Sequence, residues 1–133
     1  MQTSSIYLRN YSYSYREINN RNYDIKQFSY IVHNIPDLIV LLDVGHAFIE
    51  GGMKRIKNYI DTFENKIFHI HLHDNHGLED EHLPFGAGNI DFKKVVQWLK
   101  EINYDKTITF EVFTSYKDAV RSREIFKKLW NKY

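Results

Sequence analysis

Six of the seven histidines in this chain of 133 residues fall between His46 and His82, and neutral imidazole is the commonest metal ligand at physiological pH. Three of them alternate with apolar residues in the run His69-Ile70-His71-Leu72-His73. Because successive side chains of a β-strand point to opposite faces, these histidines would share one face and the apolar residues the other. A covered histidine face indicates a metal centre; the alternative is an edge strand with a solvated polar face.

Carboxylates lie at the ends of two other apolar runs. Asp43 comes directly after the run at residues 38–42, and Glu111 stands near the end of the run at residues 107–112. An inward carboxylate at a strand end costs several kcal/mol of free energy unless it is paired or metal-bound. We therefore expect a cation beside Glu111. For Asp43 taken alone, a turn aspartate is the alternative.

Asp80 and His82 add one oxygen ligand and one nitrogen ligand beyond the histidine-rich run. Together these residue types make a hard, oxygen-rich donor set that suits Mn²⁺, Mg²⁺ or Zn²⁺. The chain has no cysteine, which excludes disulfides and thiolate metal sites.

Elements that bring strand ends together are needed to position these side chains. The sequence alternates apolar runs with helical patterns, which predicts four βα units with strands near residues 5–9, 38–43, 67–73 and 107–112. Such a pattern indicates a parallel sheet whose carboxyl ends form the active edge. An open doubly wound sheet and half of a (β/α)8 barrel both fit, since a whole barrel needs about 250 residues.

Composition limits the class of partner. The chain carries 18 basic and 17 acidic residues, whereas proteins that bind nucleic acid tightly usually have a basic excess. We therefore expect no nucleic-acid partner. No apolar run approaches the length of about 20 residues that a membrane span needs, and the N-terminus lacks a signal pattern. We expect one domain over residues 1–133, with no membrane partner and a cytoplasmic location.

The order of the motifs resembles the xylose-isomerase-like TIM-barrel superfamily, which includes sugar phosphate isomerases and epimerases and endonuclease IV. The motifs are D-V-G-H, then H-I-H-L-H-D-N, then D-E-H-L-P-F-G-A-G-N-I-D-F, then a strand ending in glutamate. The resemblance covers residues 38–131. It implies an α/β fold in which four parallel βα units form the C-terminal half of a (β/α)8 barrel.

The same resemblance implies roles for individual residues. Asp43, His71 and Glu111 match the family's metal ligands. His46 matches a residue that contacts substrate in the isomerases and a further metal in the endonuclease branch. We expect Glu111 and His46 to be catalytic, and His46 and His73 to bind substrate.

A second metal site is implied by the endonuclease branch of the family. Its further ligands match His46, Asp80 and His82 in this chain.

Two departures from the family pattern bear on activity. Arg9 stands where the family has a glutamate that is both metal ligand and catalytic base, and a guanidinium can be neither. We expect Arg9 near Asp43 or Glu111, where its charge would partly replace the metal and help to bind substrate. The other departure is that this sequence does not contain the family's first four βα units, which form the N-terminal half of the barrel. Open sheet edges predict a homodimer or a complementary N-terminal half-barrel chain.

The resemblance implies an isomerase or epimerase that moves a proton on a sugar or sugar phosphate through an enediolate. The chain alone is expected to be incomplete or inactive. The alternative is an endonuclease IV-like phosphodiesterase that acts on abasic DNA, and an inactive remnant is the third hypothesis.

Overall fold

The computed structural model describes residues 7–9 and 25–133, which form one parallel sheet flanked by helices. The strands of the described part are Tyr7–Arg9 (β1), Ile39–Asp43 (β2), Ile67–Leu72 (β3) and Thr107–Phe110 (β4). All neighbouring pairs are parallel, and the order is β1-β2-β3-β4. A doubly wound sheet would reverse its order partway. The sequential order therefore confirms the prediction of a half-barrel.

The helices follow the strands as the pattern predicted. They are Ile25–Asn34 (α1), Val44–Phe48 (α2), Gly52–Phe63 (α3), Phe92–Glu101 (α4) and Tyr116–Lys132 (α5), with a 3₁₀ turn at Glu64–Lys66. Side-chain caps begin three of them, α2, α4 and α5, and the cap of α2 is Asp43. Asp91 accepts from the Lys94 N–H at the start of α4, and Ser115 accepts from the Asp118 N–H at the start of α5. The short helix α2 was not predicted from the sequence.

The core lies on the helix-covered side of the sheet. Val40, Leu42, Ile70 and Leu72 alternate along β2 and β3 and are at most 1% exposed. They belong to the same apolar cluster as the buried faces of the helices, which contribute Phe28, Val32, Ile56, Ile60, Phe63, Val95, Val96, Leu99 and Phe126. Burying these faces stabilises the fold by about 25 cal/mol for each Å² of apolar surface removed from water. The packing of the helices therefore keeps β2 and β3 in place.

The opposite side of the sheet is more open. Ile39 and Leu41 of β2 are only partly buried, and Thr107 and Thr109 of β4 are exposed. In a complete barrel this side faces the interior.

Strand β4 ends at Phe110, two residues earlier than predicted. The Glu111 N–H nevertheless donates to the Leu72 carbonyl at 2.9 Å, so Glu111 is still held beside the end of β3. Residues 5 and 6 of the first predicted strand lie outside the described residues. None of the helices that the structure describes is long and apolar enough to cross a membrane.

Candidate metal centre

The carboxyl ends of β2, β3 and β4 bring Asp43, His71 and Glu111 together; we call these three residues the first cluster. Asp43 and His71 are register partners on adjacent strands. The His71 Nδ1 lies 2.8 Å from Glu111 Oε1 and 3.6 Å from Asp43 Oδ2. One ligand atom from each residue lies within 4.8 Å of the others, which is the spacing that shared coordination of one ion requires.

Asp43 is fully buried, and its surroundings favour the ionised form. Burial by itself would raise the pKa of Asp43, but polar contacts with His71 and His73 and attraction from His46 outweigh it and hold the pKa far below its usual range. Its Oδ1 also accepts the His46 N–H at 3.0 Å, which caps helix α2. A buried, ionised carboxylate next to an imidazole is a donor set that fits a divalent cation.

A second cluster adjoins the first and consists of His46, His73, Asp80 and His82, whose ligand atoms also lie within 4.8 Å of one another. The His46 Nε2 donates to Asp80 Oδ2 at 2.9 Å, and the His82 Nε2 lies 3.2 Å from Asp80 Oδ1. Burial would raise the pKa of Asp80, but the hydrogen bond from His46 and the nearby histidine rings lower it. The side chain of Asp80 is 38% exposed, so this cluster reaches the surface.

Asp43 connects the two clusters. Its Oδ2 lies 3.1 Å from His46 Nδ1, and its Oδ1 lies 3.2 Å from His73 Nε2. His69 shares the strand face of His71 but joins neither cluster, because its ring nitrogens are hydrogen-bonded to the Thr107 and Thr109 hydroxyls at 2.6 and 3.0 Å.

A close approach of Gly45 to the His73 ring explains how the second cluster packs. A Cβ added at Gly45 would lie 2.1 Å from His73 Cε1 and 2.2 Å from its Nε2. The Asn75 side-chain amide donates to the Gly45 carbonyl at 2.9 Å and fastens helix α2 to the end of β3. The glycine therefore gives the His73 ring the space in which it is fully buried.

Asp74 shapes the loop that follows, and sequence reasoning gave it no role. Its carboxylate is fully buried and accepts four backbone N–H groups at 2.9–3.1 Å, from Asn75, Gly86, Gly88 and Ile90. A Cβ at Gly88 would lie 2.4 Å from Asp74 Oδ1. Two features of the sequence could have indicated this role. Asp74 follows the strand, and the later segment contains two closely spaced glycines, which allow the backbone to approach the carboxylate.

The other residues predicted to bind substrate or metal differ in exposure. His73 is fully buried, so its position does not support a direct contact with substrate. His46 is almost as buried, at 5% exposed. The side chain of Glu111 is 18% exposed. Arg9 ends β1 and pairs in register with Leu41, but its side chain lies outside the described residues. Phe113 was not predicted; it is 71% exposed and its ring stacks on His82 with centroids 4.0 Å apart.

Known proteins resemble this chain in sequence and in fold. A family model described as xylose isomerase-like TIM barrel matches residues 6–129. The uncharacterized protein MJ1311 of Methanocaldococcus jannaschii is 41% identical over 92 residues, which cover 69% of this chain and 31% of that protein.

Two solved structures are also similar. The crystal structure of a D-tagatose 3-epimerase-like protein matches with a TM-score of 0.70 and 37% identity, over 80% of this chain and 42% of that one. The crystal structure of IolI protein with a bound zinc atom matches with a TM-score of 0.60 and 25% identity, over 81% of this chain and 44% of that one. The chain thus spans less than half the length of these relatives.

Proposed function

Because the chain belongs to the xylose isomerase-like TIM barrel family, we propose that it is the metal-binding half of a sugar or sugar phosphate isomerase or epimerase. The observation that carries the proposal is the first cluster, in which Asp43, His71 and Glu111 converge at the carboxyl end of the sheet. Active sites of (β/α)8 barrels lie at this end. The similarity to a structure titled a D-tagatose 3-epimerase-like protein supports a sugar as the substrate class.

The three residues of the first cluster would hold a divalent ion. When bound, the ion supplies Lewis-acid polarisation of a carbonyl and the adjacent hydroxyl of the sugar. Zinc is supported by the zinc atom bound in the IolI structure, while Mn²⁺ and Mg²⁺ suit the two carboxylates equally well.

Glu111 is the residue that we propose moves the proton. It is the more exposed of the two carboxylates of this cluster, since Asp43 is fully buried and the Glu111 side chain is 18% exposed. A carboxylate must reach its proton within hydrogen-bond distance, and only the exposed one has access to a substrate above the sheet. Asp43 stays ionised and serves as a ligand.

His46 has a positioning role in this proposal. Its ring lies between the carboxylates of Asp43 and Asp80, at 3.1 and 2.9 Å. Both ring nitrogens face carboxylates, so the ring orients Asp43 rather than presenting a hydrogen bond to a sugar.

Proton exchange in deuterated water tests the function. The chain is loaded with diamagnetic Mg²⁺ or Zn²⁺, mixed with a panel of ketoses and their phosphates, and followed by proton NMR for loss of the signal beside the carbonyl. The assay is run with the chain alone and with the N-terminal half of the D-tagatose 3-epimerase-like relative, since the chain covers 42% of that protein.

Two variants make the assay specific. General acid–base catalysis contributes about 10²–10⁴-fold to a rate, so Glu111→Gln should lower exchange by about that factor. Glu81→Gln is the matched control, because Glu81 pairs with His76 outside both clusters and should leave the rate unchanged. Equal rates in the two variants would contradict the role of Glu111.

A phosphodiesterase of the endonuclease IV kind is the second candidate function. The observation that favours it is the second cluster beside the first, because phosphodiester cleavage commonly uses several adjacent metal ions. The formal net charge of +1 weighs against it, since phosphate contacts supply much of the affinity for DNA. Cleavage of an abasic-site duplex with no exchange on any ketose would favour this second function.

A further inference from the structure

The segment before α4 has the composition of a phosphate-binding loop, since Gly86 and Gly88 stand shortly before the first turn of the helix. Glycine-rich loops that lead into a helix bind phosphate through free backbone N–H groups. In (β/α)8 barrels, a substrate phosphate is frequently held by the loops after the last two strands, and β3 and β4 are the last two strands of this chain. This side of the site can therefore bind a phosphate only if its N–H groups are free.

The backbone N–H groups of residues 85–90 all have partners inside the protein. Those of Gly86, Gly88 and Ile90 donate to the Asp74 carboxylate at 2.9–3.1 Å. The remaining three donate to other groups of the chain at 2.9–3.1 Å, and they belong to Phe85, Ala87 and Asn89. With a fully buried carboxylate, Asp74 therefore takes the place in which a phosphate would bind.

The N-termini of the helices that follow β3 and β4 are also occupied. Asp91 accepts the Lys94 N–H at the start of α4, and Ser115 accepts the Asp118 N–H at the start of α5. Asp118 adds a carboxylate to the first turn of α5, and hydrogen bonds from the Ser115 and Thr114 hydroxyls hold its pKa below the usual range. An ionised carboxylate near a helix N-terminus already interacts with the positive end of the helix dipole. These two N-termini therefore offer little attraction for a further anion.

The segments at the carboxyl ends of β2, β3 and β4 carry no permanent positive charge. Residues 43–51, 73–91 and 111–115 contain eight carboxylates and neither lysine nor arginine. Their four histidines each lie within 3.2 Å of a carboxylate oxygen. The two lysines that follow, at the start of α4, are engaged elsewhere: one lies 5.0 Å from the Tyr133 ring and the other 3.8 Å from the Asp91 carboxylate. A phosphate ester beside these segments would meet like charge, which is unfavourable.

We propose that the substrate of this site is an unphosphorylated sugar, and that Asp74 is the residue that excludes a phosphate ester. This inference rests on the proposed function and narrows its substrate class. The Asp74 carboxylate takes up the backbone donors of the loop after β3, and the carboxylates around it repel a dianion. Sugar hydroxyls are uncharged and both donate and accept hydrogen bonds, so the same carboxylates and imidazoles can bind them.

Inorganic phosphate is a probe that does not depend on activity. The isotope-labelled, metal-stripped full chain is titrated with phosphate, and the amide signals of Gly86, Gly88 and Ile90 are followed by NMR. These signals should stay in place at millimolar phosphate, because the three N–H groups already donate to Asp74. Saturable shifts of these amides in the wild type would overturn the proposal.

Asp74→Ala removes the carboxylate and should create the anion site that the wild type lacks. Phosphate should then shift the amides of the loop and raise the urea midpoint by more than in the wild type, since phosphate strengthens burial in any protein to some extent. Asp61→Ala is the matched control, because it removes a carboxylate that pairs with Lys57 on the exposed surface of α3. A folded Asp74→Ala that gains no more phosphate binding than Asp61→Ala would overturn the role of Asp74.

Matched pairs of a ketose and its terminal phosphate ester extend the test to the substrate, and they use the wild type, so the test survives a folding defect in Asp74→Ala. In the proton-exchange assay, kcat/KM for the free ketose should exceed that for its ester by at least about 100-fold, because the ester brings like charge to the carboxylates. Faster exchange on the ester would overturn this inference and leave the proposed isomerase or epimerase intact. Exchange on neither would count against the proposed function, whereas the phosphate titration would still decide whether the loop after β3 binds an anion.

Discussion

At the scale of single residues, Asp74 determines where the loop between β3 and α4 runs. Its two carboxylate oxygens receive four backbone N–H groups, two on each oxygen. In Asp74→Asn one oxygen becomes an NH₂ group that faces two donors. Hydrogen bonds to a charged group contribute about 1.5–3 kcal/mol, so we predict a loss of about 3 kcal/mol in the free energy of unfolding, measured with urea.

Asp91→Asn is the control for that measurement. Asp91 caps α4 through one N–H, that of Lys94, and asparagine caps helices about as well as aspartate. Its cost should stay below about 0.5 kcal/mol. A cost of Asp74→Asn as small as that of Asp91→Asn would show that the carboxylate does not organise the loop.

Arg9 is the residue whose replacement should restore a family feature. The register pairs Arg9 with Leu41, two residues before Asp43 on β2. A glutamate there would add a carboxylate near the first cluster and remove a competing positive charge. We predict that Arg9→Glu strengthens divalent-metal binding by about tenfold or more, measured by calorimetry. Unchanged or weaker binding would show that position 9 is not the vacant ligand position.

The ligand types could be predicted because strands impose an alternation that is visible in the sequence. The alternation of residues 69–73 and the strand-end positions of Asp43 and Glu111 were enough to bring the first cluster together. The role of Asp74 escaped prediction because three of its four backbone partners lie 12–16 residues away in the sequence. The buried position of His73 could not be predicted because it depends on the space beside Gly45.

At the scale of elements, the junction between β2 and α2 sets the geometry of both clusters. A methyl group at Gly45 would overlap the His73 ring at 2.1 Å, and overpacking typically costs about 1–3 kcal/mol. We predict that Gly45→Ala lowers the free energy of unfolding by about that amount and weakens zinc binding at the second cluster. A chemical denaturation series with a parallel zinc titration measures both effects.

Gly52→Ala is the comparison variant for Gly45→Ala. A Cβ there meets nothing within 4 Å, although its φ of +58° strains any other residue. It should cost about 1 kcal/mol and leave zinc affinity unchanged. If Gly45→Ala binds zinc as tightly as Gly52→Ala does, the close packing of His73 on Gly45 has no role in the site.

Elements with a clear periodicity were predictable, and short ones were not. The side chains of Asp91 and Ser115 cap the starts of α4 and α5. Helix α2 has five residues, too few for a 3.6-residue period to show in the sequence. It exists because the Asp43 carboxylate, held at the strand end, also accepts the His46 N–H.

At the scale of the whole molecule, the open side of the sheet predicts association. Ile39 and Leu41 are only partly buried, and Thr107 and Thr109 are exposed, on the side that faces the interior of a complete barrel. We predict that the chain sediments at micromolar concentration as a dimer or larger species, or binds a complementary half-barrel. A cooperatively melting monomer would contradict this.

A charged substitution on the open side of the sheet tests whether the chain associates through that surface. Thr109→Lys adds a positive charge on β4, and repulsion between copies should shift sedimentation toward the monomer. Asn131→Lys places the same charge on the exposed surface of α5 and should have no effect. An equal shift in both variants would indicate a general effect of charge rather than an interface on the sheet.

The central claim is that Asp43, His71 and Glu111 hold a divalent metal, and anomalous diffraction from crystals soaked in Zn²⁺ tests it most directly. We predict a peak about 2.0–2.2 Å from one atom of each of the three side chains, in the position that their convergence within 4.8 Å defines. A crystal saturated with zinc whose anomalous peaks lie elsewhere, with none among these three residues, would contradict the account.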